Sequence, residues 1–465
     1  MENQLHRKYG LFTAICMVVG TVIGSGIFFK AQTILTKTGG DLPMGIISWI
    51  IGGAIMLVCL LTFSNMGQKY EKVNGLVDYA EATVGRRYGY YIGWFTMTIY
   101  FPAMTAALAW LSARYTLEFL TSVNPNFPMI IPVAEGGSIF GPECMALSLF
   151  YLCLAYGMNV LSPKLAGKFQ TSTTVIKLVP LSLMAVIGIV YGLINGTLTQ
   201  NLTTVSQVDN VSSSPLFAAV CATSFAYEGW IIATSINAEI KDSRKNLPKA
   251  LILGGIITIA TYVLYFVGVA GGASNQELID IGATVAFTNI FGNVLGNILN
   301  LFVAISCLGT CNGLMLGSCR CMYALSVRGQ GPAPKIFSQV DPETDMPTNS
   351  SVFTLMVTAV WFVYFYSCNL AGMWEGPFVF DATELPIITI YMMYLPIFIQ
   401  WMRKEKDQSV MKRFVLPILA FCGSCFMILA CVVSHGIACV WYFIVFAIVM
   451  VIGYFFEKTR ARKLG

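Results

Sequence analysis

Val22-Ile23-Gly24-Ser25-Gly26-Ile27-Phe28 interrupts an apolar segment that runs from Gly10 to Lys30. Phe225-Ala226-Tyr227-Glu228-Gly229-Trp230 interrupts another, from Pro215 to Glu239. A helix that crosses roughly 30 Å of hydrocarbon has to satisfy each backbone N–H and C=O within itself, because lipid offers no partner. Glycine weakens a helix and lets other groups approach the backbone closely. Unwound backbone at that depth is tolerated only where it lines a polar cavity. Two such breaks in corresponding places point to a substrate site near the middle of the membrane.

Composition places the whole chain in a bilayer. Of 465 residues, 56% are hydrophobic and 11% charged, with a mean hydropathy of +0.70. Soluble domains carry about a quarter charged residues. Apolar windows predict about twelve spans, near 9–31, 43–67, 88–119, 141–162, 169–193, 215–240, 249–272, 291–322, 350–368, 376–401, 413–435 and 437–457. With both termini placed inside, 24 of the 28 Lys and Arg residues fall on the inner side and only Lys30, Lys37 and Arg114 on the outer, with Lys177 inside a span. That asymmetry sets a cytoplasmic location for both termini. The net charge of +5 therefore reports topology, and no nucleic-acid partner is implied. The first apolar segment is too long for a cleaved signal peptide.

The breaks fall in the first and sixth spans, and four spans follow each. This suits an all-α membrane protein with a five-plus-five inverted repeat. One transmembrane domain covers 1–465, with repeats over 9–193 and 215–401 and two further helices over 413–457. The connections near 120–140, 194–214 and 323–349 read as polar loops, the second carrying Asn195, Asn201 and Asn210 in acceptor-type triplets. The 14 cysteines, Cys16, Cys59, Cys221, Cys307 and Cys425 among them, lie mostly in spans and read as small apolar residues. Cys144 stands near an outer helix end.

Several residues carry candidate chemistry. Gly24, Ser25 and Gly26 can free N–H groups, and a half-helix starting near Ile27 adds the positive end of its dipole, so together they suit a carboxylate. A tight helix contact through Gly20 and Gly24 explains the same glycines. Carbonyls freed at the second break can accept an ammonium group. Glu228 is a mid-membrane carboxylate and a candidate by default, with a helix-bridging hydrogen bond as its structural alternative. Lys177, some nine residues into its span, is the sole basic residue well inside one. Asn312 can line a cavity or bridge helices. Tyr100-Phe101-Pro102 is expected to break the third span and shape a side-chain pocket. Asp381 and Glu384 are expected in a solvated vestibule. No metal-ligand spacing appears around His6 or His435, which leaves a membrane enzyme without its chemistry and calls for no cofactor or metal.

Gly20-Thr21-Val22-Ile23-Gly24-Ser25-Gly26-Ile27-Phe28, Phe225-Ala226-Tyr227-Glu228-Gly229-Trp230, Lys177, Asn312-Gly313 and the charged run Glu239 to Pro248 together resemble the amino acid–polyamine–organocation superfamily. Within it the chain is most similar to the L-type amino-acid transporter family and its bacterial alanine-serine-cysteine and serine/threonine exchangers. The resemblance covers nearly the whole chain. It implies a LeuT-like fold and sodium-independent exchange of L-amino acids. It also implies that Gly24, Ser25 and Gly26 bind the substrate carboxylate, and that carbonyls at Val22, Phe225, Ala226 and Glu228 receive its amino group. Ile23 and Tyr227 lie within the same breaks. Phe225 would close the site from outside, and Lys177 would stand where sodium-coupled relatives hold their ion, tying the fifth helix to the first. Glu228 departs from the family's usual glycine or aspartate.

The expected function is exchange of small neutral amino acids, with Tyr100, Phe101, Phe225, Cys307 and Asn312 as pocket walls. Proton symport and amino-acid sensing remain open alternatives. The expected setting is the bacterial plasma membrane. The expected partners are amino acids and lipid, with function as a monomer and without the heavy chain that animal relatives bind through a cysteine before the fourth span.

Overall fold

The computed structural model describes residues 10–70, 75–124, 127, 141–205, 214–230 and 241–464. His6, Arg7, Lys8, Lys72, Asn210 and Glu239 lie outside them. Ten helices among the described residues are long and apolar enough to cross a membrane, from Leu42–Lys69 to Ile437–Glu457. The two interrupted segments are not among the ten, because their helices stop short. The first divides into Leu11–Val22 and Gly26–Lys37, and the second begins with Pro215–Ala226. The protein is a multi-pass, all-helical membrane protein.

Two compact units emerge from the contacts. One comprises Met1–Ile92, Ala185–Ile279 and Ile387–Ser434, and the other Gly93–Met184, Asp280–Pro386 and His435–Gly465.

In the first unit, glycine sets the closest helix contact. A Cβ on Gly188 would lie 2.4 Å from the Gly268 carbonyl oxygen, and one on Gly192 would lie 2.4 Å from the Gly271 Cα. Helix Ser243–Gly272 therefore meets the Gly188–Gly192 turn backbone to backbone, as small residues allow in membranes. The stretch after Asn195 is not a loop. It forms helix Thr197–Thr203, and Asn201 is buried rather than exposed for modification. The Asn201 amide donates to the carbonyls of Ala270 (2.7 Å) and Ala273 (2.8 Å) and accepts from the Asn275 N–H (3.1 Å). Asn275 in turn donates to the Gly40 carbonyl at 2.9 Å. A polar triplet in sequence is thus a buried knot in space. At the opposite end of helix Leu42–Lys69, Lys69 and Tyr70 both bond Glu405.

In the second unit, Pro102 does not break the third span, which runs continuously over Arg86–Val123. A π-turn at Thr96–Tyr100 precedes the proline, and the Phe101 N–H reaches back five residues to the Thr96 carbonyl. Proline has no N–H, so the Thr98 carbonyl loses its helical partner. The Trp361 indole N–H supplies a replacement at 2.8 Å. Helix Ala283–Val327 bends at Gly292 (φ 80°), a conformation that suits glycine. The solvated vestibule expected for Glu384 is also wrong. Asp381 caps the helix by accepting from the Glu384 N–H at 2.6 Å, and Glu384 itself is buried with its Oε2 3.0 Å from His435 Nε2. Carboxylate and imidazole sit at the positive end of one helix and the negative end of another, where each charge is favoured. Cys144 is fully buried, and no disulfide joins the cysteines among the described residues.

Trp361→Phe keeps an aromatic ring but leaves the Thr98 carbonyl without its donor, a loss of about 1–3 kcal/mol. The variant should melt at lower temperature in detergent than the wild type. An unchanged melting temperature would show that the carbonyl finds another partner.

Candidate functional site

The first break consists of Ile23, Gly24 and Ser25. The N–H of Ile23 still bonds the Val19 carbonyl at 2.8 Å, but the Ile23 backbone has turned extended (φ −67°, ψ 97°). The second half-helix then starts at Gly26 with Ser25 as its N-cap, one residue before the expected Ile27. The Ser25 side chain does not cap that helix. Its Oγ is buried and has no hydrogen-bond partner among the described residues. The first amides of a helix also lack carbonyl acceptors, and they carry its positive partial charge.

The second break follows helix Pro215–Ala226. Tyr227 to Gly229 form a turn in which Gly229 adopts φ +98°, where a side chain would be strained. The breaks meet directly. A Cβ on Gly26 would stand 2.7 Å from the Ala226 Cα and 3.2 Å from the Phe225 ring. Gly26 therefore serves contact between the breaks as well as access to backbone N–H groups.

One side chain outside both segments joins them. Tyr262, wholly buried in helix Ser243–Gly272, accepts the Gly24 N–H on its hydroxyl at 3.4 Å. The same hydroxyl lies 3.1 Å from the Val22 carbonyl and 2.9 Å from the Ala226 carbonyl. A phenol has one proton, so it can donate to only one of these two carbonyls at a time. The other is left to a second donor. Around this point meet the negative ends of helices Leu11–Val22 and Pro215–Ala226 and the positive end of Gly26–Lys37. An α-amino acid, with ammonium and carboxylate on one carbon, matches that arrangement.

Aromatic residues fix the geometry from behind. The Tyr227 hydroxyl donates to the Trp49 carbonyl at 2.9 Å, so its side chain is committed to helix Leu42–Lys69. Rings of Trp49, Tyr227 and Tyr262 lie 5.1–5.7 Å apart. Gly53 makes room for this, since a Cβ there would sit 2.9 Å from the Tyr227 hydroxyl. Glu228 is partly buried and within electrostatic reach of Cys59, Tyr391 and Tyr394. The structure thus gathers Val22, Ile23, Gly24, Ser25, Gly26, Phe225, Ala226, Tyr227 and Glu228 within the first unit.

Tyr100, Lys177 and Asn312 belong to the second unit. Tyr100 ends the π-turn, buried, its ring 5.3 Å from that of Phe101. Lys177 is 4% exposed. Its helix begins at Pro163, earlier than the expected span, so it lies deeper along the helix than the sequence suggested. Asn312 is engaged on both amide atoms. Its Oδ1 accepts from Asn159 at 3.0 Å, and its Nδ2 lies 3.3 Å from both the Ala166 carbonyl and Gln170 Oε1. That is helix bridging.

Tyr262 escaped the sequence reading. A hydroxyl in an apolar span was its signal, but Thr258 and Tyr265 in the same helix share it, and nothing in the order of residues separates them.

Tyr262→Phe removes both the acceptor for Gly24 and the donor for the carbonyls while keeping the ring. Thermal stabilisation of the purified protein by the α-amino acid that stabilises the wild type best should weaken at least about tenfold in concentration, equivalent to ~1.4 kcal/mol. Equal stabilisation of the variant and the wild type would remove the hydroxyl from the site. Gly26→Val should abolish that ligand-dependent stabilisation and lower the melting temperature as well, because the added atoms meet the Ala226 backbone. A fall in only one of the two would separate contact between the breaks from ligand access.

Comparison with known proteins gives the family. A family model described as amino acid permease covers residues 9–455. The chain is 27% identical over 448 residues to the serine/threonine exchanger SteT of Bacillus subtilis (strain 168), covering 94% of each. It is 26% identical over 428 residues to the human large neutral amino acids transporter small subunit 2, covering 85% of this chain and 76% of that one. It is 25% identical over 434 residues to the human b(0,+)-type amino acid transporter 1, covering 93% and 84%. With its two helix breaks joined at Tyr262 and a family match along almost its full length, the chain belongs to the amino acid permease family, whose members are transporters rather than enzymes.

Proposed function

We propose that this permease is an exchanger of small neutral L-amino acids that needs no sodium gradient. The observation that carries this reading is the meeting of three half-helix ends at one phenolic hydroxyl. The substrate carboxylate takes the amides at Ser25 and Gly26 together with the buried Ser25 hydroxyl. Its ammonium takes whichever of the Val22 and Ala226 carbonyls Tyr262 leaves open, along with the second lone pair of the Phe225 carbonyl, which already accepts the Glu228 N–H at 3.4 Å. Binding therefore completes hydrogen bonds that the two breaks leave unmade, and this favours the amino-acid backbone over the side chain as the recognised part. Similarity to the serine/threonine exchanger over 94% of the chain supports exchange and a small substrate.

Lys177 supports sodium independence. Its ammonium, buried and covalently fixed, is proposed as the cation that a sodium ion supplies elsewhere. Phe225 is proposed to close the site. The halves 9–193 and 215–401 are read as inverted repeats, each opening on a broken helix, with 413–457 appended. The inner-face excess of Lys and Arg supports cytoplasmic termini, and a bacterial inner membrane and monomeric function without a heavy chain complete the proposal. Glu228 favours a second reading, proton symport, because a mid-membrane carboxyl can carry a proton.

Proteoliposomes decide between these readings. Vesicles preloaded with unlabelled serine should take up labelled serine, empty ones should not, and choline should replace sodium without effect. Uptake into empty vesicles that collapses with a proton ionophore would move the function to symport, and dependence on sodium would remove the proposed role of Lys177. Lys177→Ala should lose most exchange while remaining folded. Serine, threonine, alanine and cysteine should compete, and competition by leucine or tryptophan without serine would overturn the size assignment. Breadth is expected among neighbours, since one methylene in a pocket is worth about 1–3 kcal/mol.

A further inference from the structure

Helices Glu384–Lys404 and Met411–His435 are both long and apolar enough to cross a membrane. The short turn that joins them therefore lies at a membrane surface, whichever way the chain is oriented. Across that turn stand Arg403, Lys404, Lys406, Lys412 and Arg413, against two acids, Glu405 and Asp407. Both acids are engaged by another helix. Lys69 bonds Glu405 and lies 3.3 Å from Asp407, and the Tyr70 hydroxyl also donates to Glu405. Bonds across the turn close it into a hairpin: the Trp401 indole N–H donates to the Lys412 carbonyl at 3.1 Å, and Arg413 Nε to the Met402 carbonyl at 2.9 Å. Lys404 reaches the Ala82 carbonyl at 3.4 Å. Arg403, Lys404 and Lys406 are exposed. Beside them Val410 is 70% and Met411 56% exposed, and the Arg413 guanidinium lies 4.6 Å over the exposed Phe414 ring. The positive end of helix Met411–His435 adds to the same charge.

We propose that this turn is a binding surface for the headgroups of anionic phospholipids. Topology alone accounts for Lys and Arg beside a span. It does not account for acids engaged by a neighbouring helix, nor for bare apolar side chains set among the cations. A segment of that composition meets the headgroup layer with its apolar groups toward the acyl chains and its charges toward phosphate. A zwitterionic lipid offers a phosphate whose charge its own choline cancels, whereas an anionic lipid brings a net negative charge that the turn complements. Closure of the hairpin by Trp401 and Arg413 holds the cations from both helix ends at one place, so a single headgroup can meet several of them. The inference is independent of the amino-acid site assigned to the two breaks.

The test follows the melting temperature of the purified protein in neutral detergent during titration with phosphatidylglycerol, phosphatidylcholine or soluble glycerol phosphate. Phosphatidylglycerol should raise it more than phosphatidylcholine at equal mole fraction, and the difference should shrink as salt is added. Glycerol phosphate, which lacks acyl chains, should do little. The variant Arg403→Gln/Lys406→Gln/Lys412→Gln should need at least about tenfold more phosphatidylglycerol for the same gain. Lys406→Gln alone should shift the titration less and in the same direction, and serves if the triple variant does not fold. Lys164→Gln/Lys168→Gln, which removes two exposed cations from helix Pro163–Leu183, should behave as the wild type. Equal gains from the two lipids overturn the inference. So does an equal gain from glycerol phosphate, an unshifted titration in the turn variants, or a loss as large in the Lys164/Lys168 control. Failure of serine exchange in proteoliposomes takes down the proposed function and leaves this surface standing.

Discussion

A helix interrupted in hydrocarbon leaves backbone donors and acceptors that no lipid can satisfy, and the Tyr262 hydroxyl answers that constraint for both interruptions at once. It accepts from Gly24 on one segment and lies within bonding distance of Val22 and Ala226 on the two sides. A phenol is suited to the task because it is donor and acceptor together, yet it falls one proton short of satisfying every group around it. The shortfall leaves one of the two carbonyls without the phenol's proton at any moment. A site whose backbone groups were all internally bonded would hold its shape but offer nothing to an ammonium or a carboxylate.

The surrounding residues exist largely to let that hydroxyl and the breaks come close. Gly26 admits Ala226, and Gly53 admits the Tyr227 hydroxyl to the Trp49 carbonyl. Gly52 does the same for Thr223, whose Oγ1 occupies the space a Cβ would need. Where glycine brings backbones together in this way, contact is van der Waals in character, which is the main attraction available between helices already surrounded by lipid. The rings of Trp49, Tyr227 and Tyr262 then fill the remaining volume and restrict rotation of the tyrosines. Ile23 and Tyr227 make the last regular helical bonds before the breaks, to the Val19 and Thr223 carbonyls.

Other buried polar groups close on one another. Asn159 with Asn312, Asn201 with Asn275, and Glu384 with His435 each join segments far apart in sequence. The Thr98 carbonyl and Trp361 show the same economy for a proline. Each of these bonds draws together helices that the sequence keeps apart. Ser25, whose buried Oγ bonds nothing among the described residues, makes no such link.

Residue order alone determined that this chain lives in a membrane and that two of its apolar segments, the one ending at Lys30 and the one opening at Pro215, are interrupted. Those properties follow from local composition: apolar run length, and glycines at a depth where helices are otherwise unbroken. The tertiary structure alone decided which polar side chains work with the breaks. Tyr262 and Tyr265 are both hydroxyl-bearing aromatics of one apolar helix, yet only Tyr262 is seen bridging the breaks. Asn201 looked like a solvated loop residue and Glu384 like a vestibule carboxylate, while both are buried against partners dozens of residues away. Pro102 looked like a break, until the π-turn and Trp361 accommodated it. In each case the outcome depends on which helices become neighbours, and hydrogen-bond partners chosen across space leave no periodicity in the sequence from which to read them.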